Sequence, residues 1–133
     1  MSSIKVMPSR FKGEVTLPPS KSDVHRAILC ASLSRGKSVI APVDLSQDIS
    51  ATIDCAKALG ADIKIDGNTA YIDGSRLFEN KEAVLDCRES GSTLRFFIPV
   101  ACVGGVKATF TGKGRLPQRP IGIYLDCLPK AGV

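Results

Sequence analysis

The chain has no tryptophan, one histidine, two tyrosines and five phenylalanines, so aromatics make up only 5% of its 133 residues. Modules that grip RNA or DNA usually stack bases on aromatic rings, so this scarcity argues against a nucleic-acid partner. No run reaches the roughly 18 consecutive apolar residues of a membrane span. The start, Met1-Ser2-Ser3-Ile4-Lys5, lacks the apolar stretch of a secretory signal. A soluble, cytoplasmic protein without a membrane partner is the expectation. The five cysteines, Cys30, Cys55, Cys87, Cys102 and Cys127, show no pair at metal-ligand or redox spacing, and His25 alone cannot complete a site with them. No metal, cofactor or disulfide framework is expected. The thiols read as small buried apolar residues in a reducing compartment.

With 44% hydrophobic and 23% charged residues, the composition suits a packed core and excludes disorder. Eighteen Lys and Arg against thirteen Asp and Glu leave a charge of +5, which favours anionic partners. The cations are not massed in blocks. They stand singly beside Ser, Gly and Pro, as in Ser20-Lys21-Ser22, Gly112-Lys113-Gly114-Arg115 and Gln118-Arg119-Pro120.

A shift of 72 residues superposes Ser20 on Ser92, Cys30 on Cys102, Ile49 on Ile121, Asp54 on Asp126, Cys55 on Cys127 and Gly60 on Gly132, which points to two copies of one unit. In the first, Val24, Ala27, Ile28 and Ala31 form a helical stripe, with Ser20 or Ser22 as N-cap and Gly36 as stop. A strand at 37–41 and a helix carrying Ile49, Ile53 and Ala56 follow. Alternation of Ile63, Ile65, Ala70 and Ile72 around Asp66-Gly67-Asn68 then reads as a hairpin. With a first strand at 14–17 the order is βαβαββ. The second copy places a strand at 83–86, a helix carrying Leu94, Ile98, Ala101 and Cys102, a strand over Val106, Ala108 and Phe110, and a helix carrying Ile121, Leu125 and Leu128. Its closing hairpin is missing, so the expectation is a piece of a longer α/β (α+β) protein, cut in mid-repeat, with unit one at about 13–74 and an incomplete unit two at about 82–133.

Three turns bring cations to helix starts or strand ends. In the first, Leu17 to Arg26, free N–H groups and the helix dipole attract an anion, and Lys21 and Arg26 add charge. The second runs from Cys87 to Arg95; Gly91 permits close backbone approach to a phosphate, and Ser92 and Thr93 can cap the helix or donate to a ligand. The third, Thr111 to Pro120, follows a strand, and Pro120 suits a first helical position. Gly36-Lys37-Ser38 mimics the end of a P-loop, but Ala31 stands where that motif needs glycine, and the segment closes a helix. His25 has neither nucleophile nor orienting acid beside it in sequence and reads as structural or as a helix-surface polar residue.

Together, Pro19-Ser20-Lys21-Ser22-Asp23-Val24-His25-Arg26-Ala27, Glu89-Ser90-Gly91-Ser92-Thr93-Leu94-Arg95 and Gly114-Arg115-Leu116-Pro117-Gln118-Arg119-Pro120-Ile121-Gly122 resemble, in order and spacing, the N-terminal part of the 5-enolpyruvylshikimate-3-phosphate synthase family. The resemblance implies two lobes, each of three βαβαββ units, of which this chain holds about one and three-quarters. It implies that residues 1–12 form a strand of the other lobe, that 13–133 belong to a partial lobe, and that a hinge lies near Gly13 to Pro19. The activity implied is transfer of the enolpyruvyl group of phosphoenolpyruvate to the 5-hydroxyl of shikimate 3-phosphate, in the pathway to chorismate and aromatic amino acids.

Carried over by motif, Lys21 would contact both substrates, Ser22 and Arg26 would bind shikimate 3-phosphate, and Gly91 N–H and Arg119 would hold phosphoenolpyruvate. Arg95 and Asp48 are expected as supporting residues. The catalytic acid and base belong to segments outside these residues, so this chain alone is expected to be inactive, and the full-length protein to be a monomer. Glu89 stands where many family members carry Asn, and should turn away from the anion or pair with Arg88; Asp23 occupies a position often small or apolar. The UDP-N-acetylglucosamine enolpyruvyl transferases share the fold, but their reactive cysteine falls in a loop matching Gly112 to Pro120, which has none. RNA 3′-phosphate cyclases would need a nucleotide-transfer histidine that His25 does not supply. A non-catalytic phosphate-binding module is the remaining alternative.

Overall fold

Serine opens each of the long helices. Ser20 Oγ accepts from Asp23 N at 3.4 Å at the head of α1 (Lys21–Leu33), Ser46 Oγ from Ile49 N at 3.4 Å at the head of α2 (Gln47–Ala58), and Ser90 Oγ from Thr93 N at 3.2 Å at the head of α3 (Gly91–Val103). Each cap satisfies an amide that has no partner inside its helix. The computed structural model describes residues 3–10 and 12–133. Between and after these helices lie β1 (Lys37–Ile40), β2 (Asp62–Asp66), β3 (Thr69–Asp73), β4 (Glu82–Asp86), β5 (Lys107–Thr111) and the short α4 (Gly122–Cys127), with 3-10 turns at Leu116–Gln118 and Pro129–Ala131.

The strands form two sheets. In the first, β3 lies between β1 and β2, antiparallel to both. Gly67, at φ 55°, and Asn68 form the two-residue turn that pairs Asp66 with Thr69, a conformation that glycine adopts without Cβ strain. Ile63, Ala70 and Ile72 point inward; Val39 and Tyr71, paired across β1 and β3, face outward. In the second sheet β4 and β5 run parallel, joined through α3. One core serves both, with Ile28, Ile49, Leu59, Ile72, Leu85 and Phe97 fully buried. No helix among the described residues is long and apolar enough to cross a membrane, and none of their His, Cys, Asp and Glu groups is suited to hold a metal ion.

For the first helix and the strand that follows it, the structural offset between the two halves is 70 residues, not 72, whereas α2 and α4 start 75 apart. Caps Ser20 and Ser90, helix starts Lys21 and Gly91, and strand starts Lys37 and Lys107 are each separated by 70. At that offset the buried positions coincide, Val24 with Leu94, Ile28 with Ile98 and Ala31 with Ala101. Cys30 therefore matches Val100, not Cys102. The thiols are not uniformly buried either: Cys30 and Cys127 are exposed, Cys102 is half-buried, and only Cys55 and Cys87 lie in the core. A hydrogen bond to Cys87, together with burial, pushes the Cys55 thiol up, so it stays protonated and inert.

Other expectations are corrected as well. Residues 14–17 form no strand, and Val15 and Leu17 are exposed, because no ladder partner lies beside them among the described residues. Residues 3–10 and 12, whose expected strand partner is a second lobe, are irregular and exposed in this chain, and residues 1, 2 and 11 lie outside the described residues. Helix α1 ends at Leu33 with Ser34 as its cap, ahead of Gly36. Pro120 does not open α4; Ile121 is the N-cap and Gly122 the first helical residue. Leu125, expected on the apolar side of that helix, is exposed, because this six-residue helix buries no side chain.

Candidate anion-binding site

The three cationic turns meet at one end of the molecule. Asp86 and Thr111 are register partners at the carboxyl ends of parallel strands β4 and β5, so the second and third turns leave the sheet side by side. Crevices at the carboxyl ends of parallel strands are where α/β folds usually bind ligands. Lys113 N donates to Arg88 O at 2.6 Å and ties the two turns together. Arg88, at φ 50°, is held in that left-handed conformation by Asp86 Oδ1, which accepts from its N–H at 2.9 Å.

Gly91 is buried under two guanidinium groups. A Cβ built there would collide with Arg119 Nη1 and lie 2.9 Å from Arg95 Nη1. Arg95 Nη1 also donates to Gly91 O at 3.3 Å, and its own carbonyl accepts from Tyr124 Oη at 3.1 Å, which anchors α4 to α3. Among the described residues neither Arg95 nor Arg119 pairs with a carboxylate. Two unneutralised cations at the head of a helix oppose its dipole, and a bound anion would relieve both repulsions. A pocket lined by Leu94, Phe110, Gly112, Leu116, Arg119 and Ile121 adjoins them. Arg119, expected from its motif, and Arg95, expected only as a supporting residue, thus both lie over Gly91.

The first turn joins through α2. Lys21 Nζ pairs with Asp48 Oδ2 at 2.7 Å, and Asp48 O accepts from Thr93 Oγ1 at 3.4 Å. Arg26 and Ser22 are less engaged: Arg26 Nη1 donates to Ser22 O at 3.4 Å and lies 3.7 Å from Asp23, contacts made within α1 alone. Glu89 is exposed, and its carboxylate lies beside Gly114 of the third turn. Its expected pairing with Arg88 is not formed, because Arg88 Nη2 is bound to Asp54 Oδ2 at 2.6 Å.

Beneath the turns runs a buried polar chain that sequence reasoning missed in part. His25 Nδ1 and Thr52 Oγ1 are 2.7 Å apart, Thr52 and Thr93 hydroxyls 2.8 Å, and Thr93 Oγ1 donates to Ser90 Oγ at 2.7 Å. The signal for Thr52 was a lone hydroxyl on the apolar stripe of Ile49, Ile53 and Ala56. His25, only 1% exposed, is a buried and not a surface residue. Desolvation lowers its pKa below 6.5; the Lys21 and Arg26 charges act in the same direction and Asp48 against them. A depressed folded-state value means the unfolded chain binds more protons in acid. Stability is therefore expected to fall as pH drops below about 6.5, with a slope of up to about 1.4 kcal/mol per pH unit. Denaturant unfolding from pH 7.5 to 5 checks this, and His25→Asn should flatten that limb.

A profile of EPSP synthase (3-phosphoshikimate 1-carboxyvinyltransferase) matches residues 6–133. The chain belongs to the EPSP synthase family. It is 45% identical over 127 residues to 3-phosphoshikimate 1-carboxyvinyltransferase of Clostridium perfringens (strain SM101 / Type A), covering 95% of this chain and 30% of that protein. The Clostridium kluyveri enzyme of the same name is 45% identical over 126 residues, again across 95% of this chain and 30% of the relative. EPSP synthase from Acinetobacter baumannii superposes with a TM-score of 0.72 at 23% identity, over 90% of this chain and 27% of that structure, which places the fold. The chain thus spans about 30% of the length of these curated EPSP synthase relatives.

Within the EPSP synthase frame, Gly91→Ala makes a discriminating variant. The new methyl would meet the ends of two flexible arginines and not backbone, and alanine favours helix over glycine by about 1 kcal/mol. The fold should survive while the guanidinium groups are displaced. Unchanged Tm with an anion affinity weakened about tenfold at this turn is the expected result, read by calorimetric titration.

Proposed function

We propose that the full-length protein containing this segment transfers the enolpyruvyl group of phosphoenolpyruvate to the 5-hydroxyl of shikimate 3-phosphate, releasing phosphate through a tetrahedral intermediate. The observation that carries this reading is the pair of unneutralised guanidinium groups over Gly91, linked through the first turn of α2 to Lys21. Both substrates are multiply anionic, and isolated cations on rigid helix starts hold such groups in fixed orientation. Arg119, Arg95 and the Gly91 N–H would take phosphoenolpyruvate. Lys21 would reach both substrates, and Ser22 and Arg26 the shikimate 3-phosphate. The same cations would keep hold of the carboxylate and phosphate that the tetrahedral intermediate inherits from phosphoenolpyruvate, and so fix its orientation.

The groups that move protons, one from the attacking hydroxyl and one to the methylene carbon, would come from segments beyond these residues. Residues 1–12 would add a strand to a second lobe, with a hinge near Gly13 to Pro19, and 13–133 would form most of two βαβαββ units, the first without an opening strand at 14–17. The reading includes a cytoplasmic monomer that binds neither nucleic acid nor membrane.

Calorimetric titration of shikimate 3-phosphate into the full-length protein, with Lys21→Ala and Arg26→Ala alongside, tests it. Binding that both substitutions weaken, and phosphate release with both substrates, support the assignment. A full-length protein that binds no shikimate 3-phosphate defeats it. The 133-residue chain alone should release no phosphate.

A further inference from the structure

The buried hydroxyls beneath the site have a direction. The hydroxyl hydrogen of Thr93 is spent on Ser90 Oγ at 2.7 Å or on Asp48 O at 3.4 Å, and Thr93 has no second one. The 2.8 Å contact between Thr52 and Thr93 must then be donated by Thr52. That uses the only hydroxyl hydrogen of Thr52, so the 2.7 Å contact with His25 must be donated by Nδ1–H. The imidazole is thereby fixed as the Nδ1–H tautomer, and Nε2, buried and without a partner among the described residues, carries a bare lone pair. A reversed chain would leave both Ser90 Oγ and Asp48 O without the Thr93 proton.

This chain crosses three helices at their heads. His25 lies one turn beyond Lys21 on α1, Thr52 one turn beyond Asp48 on α2, and Thr93 two residues beyond Gly91 on α3. All four members are almost fully inaccessible, with His25, Ser90, Thr52 and Thr93 at 1%, 1%, 0% and 0% exposure. Three contacts of 2.7 to 2.8 Å between groups cut off from water leave little room for the helices to slide.

We propose that His25 is a positioning residue, which through Thr52 and Thr93 sets the spacing between the Lys21 turn and the Gly91 turn so that the two bind their anions in one register. This rests on the proposed function only for the identity of the anions. The spacing itself is a property of this chain, and inorganic phosphate serves as the probe.

The test has two arms on the 133-residue chain and one on the full-length protein. In the first, 15N spectra of the His25 ring at pH 7.5 should show the proton on Nδ1; a proton on Nε2 overturns the proposal. In the second, inorganic phosphate is titrated while the amide signals of Ser22 and Ser92 are followed. Thr52→Val, isosteric but unable to donate, and His25→Leu should each weaken the shared binding up to about tenfold, the worth of one buried hydrogen bond, and His25→Asn should recover most of the loss because its amide nitrogen donates from the place of Nδ1. If Thr52→Val lowers Tm but leaves phosphate affinity within twofold, the chain is only structural and the proposal fails; a wild-type chain in which phosphate shifts neither turn also overturns it. In the third arm, Thr52→Val in the full-length protein should raise KM for both substrates with kcat little changed. A wild-type protein without turnover would refute the enzymatic reading alone, since the first two arms decide the positioning role without it.

Discussion

A full-length Arg119→Ala protein is expected to lose about 100-fold or more in kcat/KM for phosphoenolpyruvate, with its affinity for shikimate 3-phosphate held within about threefold. The asymmetry follows from the contacts. Arg119 reaches Gly91, at the head of α3, whereas the first turn is served by Lys21 and Arg26 on α1. Arg95 remains over Gly91 in the variant, so some anion attraction persists, but two guanidinium forks are needed to hold a phosphate and a carboxylate at once. Arg119→Lys supplies the control. It keeps the charge and removes the planar fork, and should recover only part of the activity. Steady-state kinetics with each substrate varied in turn will separate the effects. Equal losses for both substrates would show that Arg119 acts on the whole site and not on one anion.

The second large effect concerns the core. Phe97 is among the largest fully buried side chains, on α3 within two turns of Gly91. Phe97→Ala should cost about 3–5 kcal/mol, the sum of lost apolar transfer and an unfilled cavity. For a chain of this size that corresponds to a fall in Tm on the order of 10–20 °C, readable by calorimetry on the 133-residue chain. Leu125→Ala, by contrast, removes an exposed side chain from α4 and should change stability by less than about 0.5 kcal/mol. If Leu125→Ala proved as damaging as Phe97→Ala, α4 would be packed against something that the described residues do not reveal.

Local chemistry made much of this architecture legible. The Ser20 cap, helical stripes and the Gly67-Asn68 turn each announce their element through short-range rules, and all the helices and five of the strands form close to where the pattern places them, although α3 is capped by Ser90 and not by Ser92 or Thr93. Long-range register was harder to read. The coincidence of Cys30 with Cys102 and Cys55 with Cys127 favoured a shift of 72, whereas the packed faces obey 70; buried methyl groups set the register, and an exposed thiol such as Cys30 carries no such information. The strand at 14–17 failed for a related reason, since an extended segment becomes a strand only beside a partner.

The site divided along the same line. Cations beside glycine and serine marked Lys21, Gly91 and Arg119, because those motifs are contiguous in sequence. The capture of Arg88 by Asp54 and the link from His25 to Thr52 and Thr93 depend on separations of 27 to 41 residues whose meeting is decided by helix packing, whereas Arg95 lies one turn from Gly91 within α3. Thr52 differed from its neighbours only in polarity, and its meaning appeared when the partner helices were in place.

The ion pair between Lys21 and Asp48 means that an anion reaching the first turn must compete with a resident carboxylate. An approaching anion finds the Lys21 ammonium already holding a carboxylate at 2.7 Å, with the Asp48 side chain still about one third exposed and free to swing away. A simple monocarboxylate offers Lys21 nothing that Asp48 does not already supply without loss of translational freedom, so it gains little by displacing it. A phosphate monoester, bearing close to two negative charges and three acceptor oxygens, offers more than the resident group. The same aspartate is therefore expected to act as a competitor that a doubly charged anion displaces more readily than a singly charged one.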